Sequence, residues 1–206
     1  RAFTVFLLNR GTYKPKVAVG RDTRCSGQMI EAALSAGITS AGGNVYAIGE
    51  IPTPGVSYSI AAGSFDGGAV ISASHNPAEY NGIKYFDGEG FKLSDQEEAE
   101  IEAYFETDGN GVRPTHGEVG SIFDAKNLTA DYLEFLLGIM EKVQNRDHSI
   151  VIDAANGAAS ALVEPLFKRW KGPVSICANH PDGLNINSGV GVTNMDFLRG
   201  MTTDRK

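Results

Sequence analysis

The sequence predicts an α/β fold: a three-layer α/β/α domain with a mixed, mainly parallel sheet, followed by part of a second similar domain. Short β-branched runs alternate with segments whose apolar residues recur at helical spacing, which is typical of a sheet covered by helices. Two turn dipeptides, Asn81–Gly82 and Asp87–Gly88, enclose a strand-like "IKYF" and predict a hairpin. The strand–helix–strand order resumes after His148 and predicts the second domain.

Three strands and two helices are predicted before the hairpin. The strands are "KVAVG" (16–20), "NVYAIG" (44–49) and "GGAVIS" (67–72). Each is a short apolar run of the kind that forms a buried strand. The first helix lies within "QMIEAALSAGITSAGG" (28–43), where two final glycines signal its end. Thr53 as N-cap and Pro54 as first helical residue predict a second, short helix through Ile60.

Two more helices are predicted after the hairpin. Ser94, followed three residues later by Glu97, forms a capping box, which marks a helix start. The segment "TADYLEFLLGIMEKV" (129–143) is predicted to be helical because its large apolar residues fall on one face. These residues are Tyr132, Phe135, Leu136, Ile139 and Met140.

The polar segment "QNRDH" (144–148) is the predicted linker between the two domains. Residues 1–144 are assigned to the first domain, whose extreme N-terminus we expect to be missing, and residues 145–206 to the N-terminal part of the second. The second unit is predicted from the strand "SIVIDAA", a turn at Asn156–Gly157, the helix "AASALVEPLFKRW" and the strand "VSICA".

Composition and charge exclude several classes of protein. The chain of 206 residues has a formal charge of −7, which argues against nucleic acid or an anionic membrane as a partner, because both require a basic face. No apolar run approaches the length of a membrane span. Cys25 and Cys177 lie far apart without metal-ligand spacing, so we expect reduced thiols in a cytoplasmic protein. No pattern predicts an oligomeric state.

A group of small polar residues follows the third predicted strand: Ser72, Ser74, His75 and Asn76, with Pro77 to stiffen the loop. Ligands of open α/β sheets gather at such strand ends. Three interpretations are open: a turn whose hydroxyls satisfy backbone groups, acyl transfer by a Ser–His pair, and phosphoryl transfer through a phosphoserine. Acyl transfer is the weaker chemical interpretation, because adjacent residues seldom place a base correctly and no Gly-x-Ser-x-Gly elbow is present.

Cationic groups near the loop favour phosphoryl transfer. Lys84 lies just beyond the Asn81–Gly82 turn, where a hairpin returns it towards the loop. Arg21 and Arg24 follow another strand of the same predicted sheet, and helix starts near Thr53 and Ser26 add positive dipole ends. The plainer interpretation is that each Lys or Arg is a solvated surface charge.

The segment "ISASHNPAEYNGIKYF" resembles the active-site loop of the α-D-phosphohexomutase superfamily, whose members share a Ser-His-Asn-Pro segment and a following Asn-Gly-x-Lys. The segments "VAVGRDTRCSG", "IPTPGVSYSI" and "VIDAANGAA" resemble other parts of that superfamily in the same order. The segment "PDGLNIN" and the Ile-Ser-Ala before Ser74 are similar to its glucosamine branch. The resemblance covers nearly the whole chain.

The resemblance implies a phosphohexomutase that interconverts the 6-phospho and 1-phospho forms of a hexose through a phosphoserine and a hexose bisphosphate. In the glucosamine branch the reaction converts glucosamine 6-phosphate to glucosamine 1-phosphate. Ser74 would carry the phosphoryl group, and His75 and Lys84 would be catalytic residues near the reacting oxygens. The implied partners are hexose phosphate and hexose bisphosphate.

Arg21, Arg24 and Asn76 are the candidates for binding phosphate. The implied cofactor is Mg²⁺, held by Ser74 through its phosphate and offsetting a phosphoserine charge of about −1.5 to −2. The superfamily's Asp-Gly-Asp-x-Asp-Arg metal loop, its sugar-discriminating loop and its later phosphate-binding loop are expected beyond the end of the chain. We therefore expect an N-terminal fragment that is inactive by itself.

Two alternatives stay open. One is a phosphomannomutase or phosphoglucomutase of the same superfamily, because the chain has Gly191-Val192-Thr193-Asn194 where the glucosamine branch usually has Gly-Ser-Thr-His. The other is a non-catalytic domain that binds a sugar phosphate or a partner. Phosphate on Ser74 would separate a mutase from a binding domain, which has no need of it.

Overall fold

A computed structural model describes residues 1–107, 111–143 and 146–203 of the chain. The helices and strands of these residues, in chain order, are α1 Ala2–Asn9, β1 Lys16–Arg21, α2 Gly27–Thr39, β2 Asn44–Glu50, α3 Thr53–Gly63, β3 Gly67–Ile71, β4 Ile83–Asp87, α4 Asp95–Glu106, β5 Ile122–Asp124, α5 Asn127–Met140, β6 Ile150–Asp153, α6 Ser160–Phe167, β7 Val174–Cys177 and α7 Met195–Thr203.

The first five strands form one sheet in the order β4-β3-β1-β2-β5. Strands β3, β1, β2 and β5 are parallel, and β4 runs antiparallel to β3. The predicted fold class, a mixed and mainly parallel sheet with helices on its faces, is confirmed. Residues 72–82 connect β3 to β4, so the Ser-His-Asn-Pro segment is the loop of a β-hairpin that begins at the carboxyl end of the parallel strands.

Alternate side chains of the strands point to opposite faces, and each face has its own apolar core. Val17 and Val19 face one core, whereas Ala18 between them faces the other. The first core is completed by α1, α2 and α4, through residues that include Phe3, Phe6, Leu7, Ile38 and Ile101. The second is completed by α3, α5 and α6, through residues that include Val56, Ile60, Tyr132 and Leu162. Helices therefore cover both faces of the sheet.

Helix α3 lies very close to the sheet because glycines leave room for it. A Cβ atom at Gly68 would lie 2.5 Å from Cδ1 of Ile60, and one at Gly20 would lie 2.6 Å from side-chain atoms of Ile51 and Val56. A side chain at either glycine would force these neighbours to shift. The close approach brings the start of α3 beside the carboxyl ends of β1 and β3, where the loop 72–82 begins.

Several predicted boundaries differ from the structure. Pro52, not Thr53, is the N-cap of α3, because the Pro52 carbonyl already accepts hydrogen bonds from Gly55 and Val56. The helix also continues past Ile60 to Gly63. Strand β5 was not predicted, since its three residues are all exposed and show no alternation. Helix α7 was also missed.

The second unit contains the parallel pair β6–β7, with α6 between them in sequence. Leu162 of α6 packs into the second core of the first sheet, so the two units share apolar contacts. The predicted domain boundary falls at residues 144 and 145, which lie outside the described residues. None of the helices in the described ranges combines the length and apolar character that a membrane crossing requires.

Candidate functional site

The loop 72–82 is closed at its base by backbone and side-chain hydrogen bonds. The amide N–H of Ser72 donates to the carbonyl of Gly82, at an N–O distance of 2.9 Å. The side-chain amide of Asn81 donates to the hydroxyl oxygen of Ser26, also at 2.9 Å. Asn81 Oδ1 in turn accepts from the amide of Gly82. The loop is therefore held against the segment between β1 and α2.

Ser74 lies in this loop with a left-handed backbone, at a φ of 57°. This conformation costs a non-glycine residue about 1–2 kcal/mol, so surrounding contacts must hold it in place. The amide of Ser74 donates to the hydroxyl oxygen of Ser72, at 3.0 Å. The Ser72 hydroxyl is thus used within the loop. The Ser74 side chain is exposed, and its hydroxyl has no hydrogen bond within the described part of the chain.

Arg24 supports the loop from beneath, and its guanidinium is completely buried. Nε donates to the carboxylate of Asp22 at 2.9 Å. The four remaining contacts are with backbone carbonyls of the loop: those of Ser74 (3.0 Å), Asn76 (2.9 Å), Tyr80 (2.8 Å) and Pro77.

These contacts occupy the five N–H donors of the guanidinium. Arg24 was predicted to bind phosphate, but the structure places it below the loop with no donor left for a ligand. The sequence predicts Arg24 as a cation exposed at the end of a strand. In the structure Arg24 is buried, and its guanidinium donates to the carbonyls of the loop and supports it.

Asn187, in the loop after β7, contacts the same loop from the other side. Its side-chain Nδ2 lies 3.0 Å from the carbonyl oxygen of Ser74 and 3.0 Å from that of Asn76. No motif in the sequence predicts Asn187 as a site residue. Its segment, "PDGLNIN", is similar to the glucosamine branch but predicts no contact with Ser74, because a contact between residues 113 positions apart has no local signal.

Other contacts join the second unit to the segment between β1 and α2. The hydroxyl of Thr23 donates to the carbonyl of Asn156 at 2.7 Å, and the amide of Cys25 donates to the carbonyl of Gly183 at 2.9 Å. Because Arg24 lies between Thr23 and Cys25, the second unit is fixed to the segment that supports the Ser74 loop.

Ser74 lines two cavities between the units. One, of about 220 Å³, also has Ser72 and Thr53 in its wall. The other, of about 560 Å³, is lined by His75 and by β6 and α7 of the second unit. Asn187 lines both cavities together with Ser74. Ser74 and Asn187 therefore lie next to space of the size of a small ligand, between the two units.

The structure brings His75 and Asn76 to this site with Ser74, and all three side chains are exposed. Lys84 is half-buried in β4, directly opposite Val70 of β3, so both side chains are on the same face of the sheet. Ser72 follows Val70 by two residues and is the diagonal neighbour of Lys84. Within the described residues the Lys84 ammonium has no ion pair or hydrogen bond.

Arg21 lies apart from the loop hydroxyl. Its side chain is nearly buried and pairs with Glu31 (2.9 Å) and Glu50 (2.8 Å). Burial alone would lower its pKa, but the hydrogen bonds that the guanidinium donates to these two carboxylates, together with their negative charge, outweigh burial and raise the pKa above its usual value. Arg21 lines cavities other than the two that Ser74 lines.

The described residues do not form a complete metal site. No group of three or more His, Cys, Asp or Glu side chains suited to a metal ion occurs in residues 1–107, 111–143 and 146–203. The carboxylates that line the two cavities with Ser74 already have partners: Asp22 accepts from Arg24, and Asp153 accepts from the amides of Ala155 and Gly191. The donor set around Ser74 therefore does not fit Mg²⁺ without oxygen ligands from elsewhere.

Comparison with known protein families gives a match over the first 111 residues. The matching family is described as phosphoglucomutase/phosphomannomutase, alpha/beta/alpha domain I. The match covers the sheet from β1 to β4 and includes the loop with Ser74.

Similar curated proteins match along nearly the whole chain. The chain is 43% identical over 204 residues to a phosphoglucosamine mutase of Bacillus subtilis (strain 168), and 41% identical over 203 residues to one of Oceanobacillus iheyensis. Each alignment covers 98% of this chain and 45% of the relative. The chain thus spans a little under half the length of these relatives.

Solved structures agree with this assignment. A phosphoglucomutase/phosphomannomutase family protein of Burkholderia thailandensis aligns at a TM-score of 0.72 and 28% identity, over 89% of this chain and 39% of that one. A putative phosphomannomutase of Thermus thermophilus aligns at a TM-score of 0.77 over all of this chain and 46% of that one. At 24% identity, the second match supports the fold alone.

Proposed function

Because the chain belongs to the phosphoglucomutase/phosphomannomutase family, we propose that it is part of a phosphohexomutase whose phosphoryl carrier is Ser74. The observation that carries this proposal is the loop geometry. Contacts from Ser72, Arg24 and Asn187 hold the Ser74 backbone, while the Ser74 side chain stays exposed, has no hydrogen bond of its own among the described residues, and belongs to a residue that lines two cavities. A hydroxyl that serves only a turn would be hydrogen-bonded within it, as that of Ser72 is.

The proposed reaction has two transfers. In the first, a hydroxyl of the hexose monophosphate attacks the phosphorus of phosphoserine 74; the bond to the serine oxygen breaks, the hydroxyl proton passes to a base, and the serine oxygen takes up a proton. The hexose bisphosphate then reorients, and the Ser74 hydroxyl attacks the phosphorus of its other phosphoryl group. The bond from that phosphorus to the sugar oxygen breaks, the serine proton passes to a base, and the sugar oxygen takes up a proton. Phosphoryl transfer gains most of its rate from positioning and charge stabilisation, so a rigid carrier loop suits it.

Lys84 and His75 are the groups that we assign to this chemistry. The Lys84 ammonium has no carboxylate partner among the described residues, so its charge is available to phosphoryl oxygens or to proton transfer. His75 follows Ser74 directly and lines the larger cavity with it. An imidazole can accept or donate a proton near neutral pH.

Asn76 is the remaining candidate for contacting substrate phosphate, because its side chain is exposed beside Ser74. Arg21 would have to exchange a carboxylate partner before it could bind phosphate. We keep Mg²⁺ in the proposal as an ion that would bind phosphate oxygens on Ser74. The described residues do not complete its coordination, so no step above depends on it.

We propose glucosamine phosphate as the substrate, on the strength of the relatives that bear the name phosphoglucosamine mutase. Glucose and mannose phosphates are the alternatives within the family. The full-length protein should be assayed against all three hexose phosphates. A preference for glucosamine phosphate supports the proposal, and a preference for either of the other sugars overturns the choice of substrate.

Phosphopeptide mapping tests the carrier. The full-length protein is incubated with hexose bisphosphate, digested and analysed by mass spectrometry. The phosphate is expected on Ser74, and the neighbouring Ser72 is an internal control because its hydroxyl is used within the loop. Phosphate on Ser72, or turnover retained in Ser74→Ala, would overturn the assignment. A protein without phosphate at either serine and without turnover would instead be a binding domain.

A further inference from the structure

Two side chains from different parts of the molecule hold the same pair of carbonyl groups. Arg24 Nη2 and Asn187 Nδ2 both donate to the carbonyl of Ser74, and both donate to that of Asn76. All four distances are 2.9 or 3.0 Å. Arg24 belongs to the first unit, between β1 and α2, whereas Asn187 belongs to the second unit.

The backbone of Asn187 is held by contacts within the second unit. The amide of Asn187 donates to the carbonyl of Ala155 at 2.9 Å, and the preceding residue, Ile186, is buried. The backbone of Asn187 is thus held by the second unit, and its side-chain Nδ2 contacts the Ser74 loop from there. Its hydrogen bonds to the loop are made when the second unit is seated on the first.

These hydrogen bonds constrain two peptide planes of the loop, one directly before His75 and one directly after Asn76. The carbonyls of Ser74 and Asn76 belong to the peptide units that join residues 74 to 75 and 76 to 77, so fixing them limits rotation about the carrier residue. Ser74 has a strained left-handed φ, and such a conformation persists only where several contacts determine it.

We propose that Asn187 is a positioning residue for phosphoryl transfer, which holds the Ser74 loop in its transfer geometry from the second unit. This inference rests on the proposed function. Asn187 acts through the loop backbone and is not a catalytic residue. Correct seating of the second unit is thereby coupled to the orientation of the phosphoryl carrier.

A simpler role for Asn187 would be to satisfy its own backbone, which has a left-handed φ of 59°. Asn is among the residues that tolerate this conformation, and Gly tolerates it better. The two roles are separable, because Asn187→Gly keeps the backbone conformation and removes the donor. Asn187→Asp keeps the shape of the side chain and replaces the donor with a carboxylate oxygen that repels the two carbonyls.

The test compares these two variants with wild type in the full-length protein. We expect kcat to fall about 10²-fold in both, since a small misplacement of reacting groups has an effect of that size. KM should stay within a few-fold of the wild-type value, because Asn187 does not bind the substrate in this proposal.

Asn194→Asp is the matched control: it introduces the same charge at another exposed position of the second unit, where the side chain has no hydrogen bond among the described residues. It should leave kcat unchanged.

Hydrogen–deuterium exchange of the segment 72–82 in the full-length protein gives a second readout that does not need activity. Exchange should be faster in Asn187→Asp and Asn187→Gly than in wild type, and unchanged in Asn194→Asp. Wild-type kcat in Asn187→Gly, a rise in KM alone, or unchanged exchange in both Asn187 variants would overturn the inference. If wild type has no mutase activity but exchange rises as expected, Asn187 still restrains the loop and only the proposed function fails.

Discussion

Arg24 joins the buried carboxylate of Asp22 to four carbonyl groups of the Ser74 loop. Removing one partner of a buried ion pair leaves the other charge without compensation, which typically costs about 3–5 kcal/mol. We therefore expect Arg24→Met to lower the free energy of unfolding by that amount, measured by urea denaturation. Arg24→Lys should recover little of it, because one ammonium cannot reach the groups that a planar guanidinium contacts.

Arg169→Met is the control for this prediction. Arg169 pairs with Glu141 at 2.8 Å, but both side chains are more than half exposed. Exposed pairs contribute about 0–1 kcal/mol, so this variant should unfold at nearly the wild-type urea concentration. Equal effects of the two substitutions would show that the contacts of Arg24 do not hold the loop.

Substitution of Lys84 tests whether its positive charge takes part in the proposed reaction. Lys84→Met removes the charge and keeps most of the apolar stem, so the fold should survive, because no ion pair of Lys84 is lost among the described residues. In the full-length protein kcat should fall by about 10²–10⁴-fold, the usual contribution of a proton-transfer group. Lys92→Met, at an exposed lysine paired with Glu98, should have little effect. Activity within a few-fold of wild type would make Lys84 an ordinary surface lysine.

At the scale of elements, helix α4 begins with the capping box that the sequence predicts. The amide of Glu97 donates to the hydroxyl of Ser94, and the Glu97 carboxylate accepts from the amide of Ser94 at 2.9 Å. That backbone hydrogen bond is the main reason why the pKa of Glu97 is lowered below its usual 4.5; the Ser94 hydroxyl and Arg10 lower it further.

A carboxylate with a lowered pKa in the folded state stabilises the protein above its unfolded-state pKa, and this contribution is lost as the pH falls through the folded-state pKa. Glu97→Gln should therefore have a lower free energy of unfolding than wild type at pH 7. The difference should be less than about 1 kcal/mol, because the ion pair of Glu97 with Arg10 is partly exposed. The difference should shrink as the pH falls below 4.5. Urea unfolding at pH 7 and in acid measures it. Glu102→Gln is the control, because Glu102 is exposed on the same helix and has no such hydrogen bonds in the described structure. Its free energy of unfolding should differ little from that of wild type at either pH. A difference for Glu97→Gln that does not change with pH would contradict the role of the Glu97 charge.

For the whole molecule, we expect the 206-residue chain to fold but to show no measurable mutase activity by itself. The carrier hydroxyl and its support are present in the described residues, while the chain spans 45% of the length of its relatives. Phosphoryl transfer needs groups that position both ends of the substrate and offset its charge, and losing them removes many orders of magnitude in rate. A coupled mutase assay on the chain checks this, with calorimetry expected to detect only weak Mg²⁺ binding. Turnover near that of a full-length relative would contradict it.

The sequence by itself determined the α/β class and the loop that carries Ser74. Local patterns were sufficient for this: short apolar runs bounded by glycine for β1 to β3, a helical repeat for α2, and the Ser94–Glu97 pair for α4. Such signals depend on residues within about one helical turn or one strand of each other, so they can be recognised in the sequence without the structure. The exposed three-residue strand β5 has no such signal, and only its pairing with β2 defines it.

Only the tertiary structure decided what each polar residue of the site does. Arg21 and Arg24 look equivalent in "GRDTR", yet one is paired with glutamates near the surface and the other is buried beneath the loop. Their partners make that difference: Arg21 pairs with glutamates of α2 and β2, whereas Arg24 contacts Asp22 and the carbonyls of the loop 72–82. Asn187 meets Ser74 across 113 residues of sequence. Contacts of this kind arise when separate elements pack together, and no local pattern encodes which polar groups then face each other.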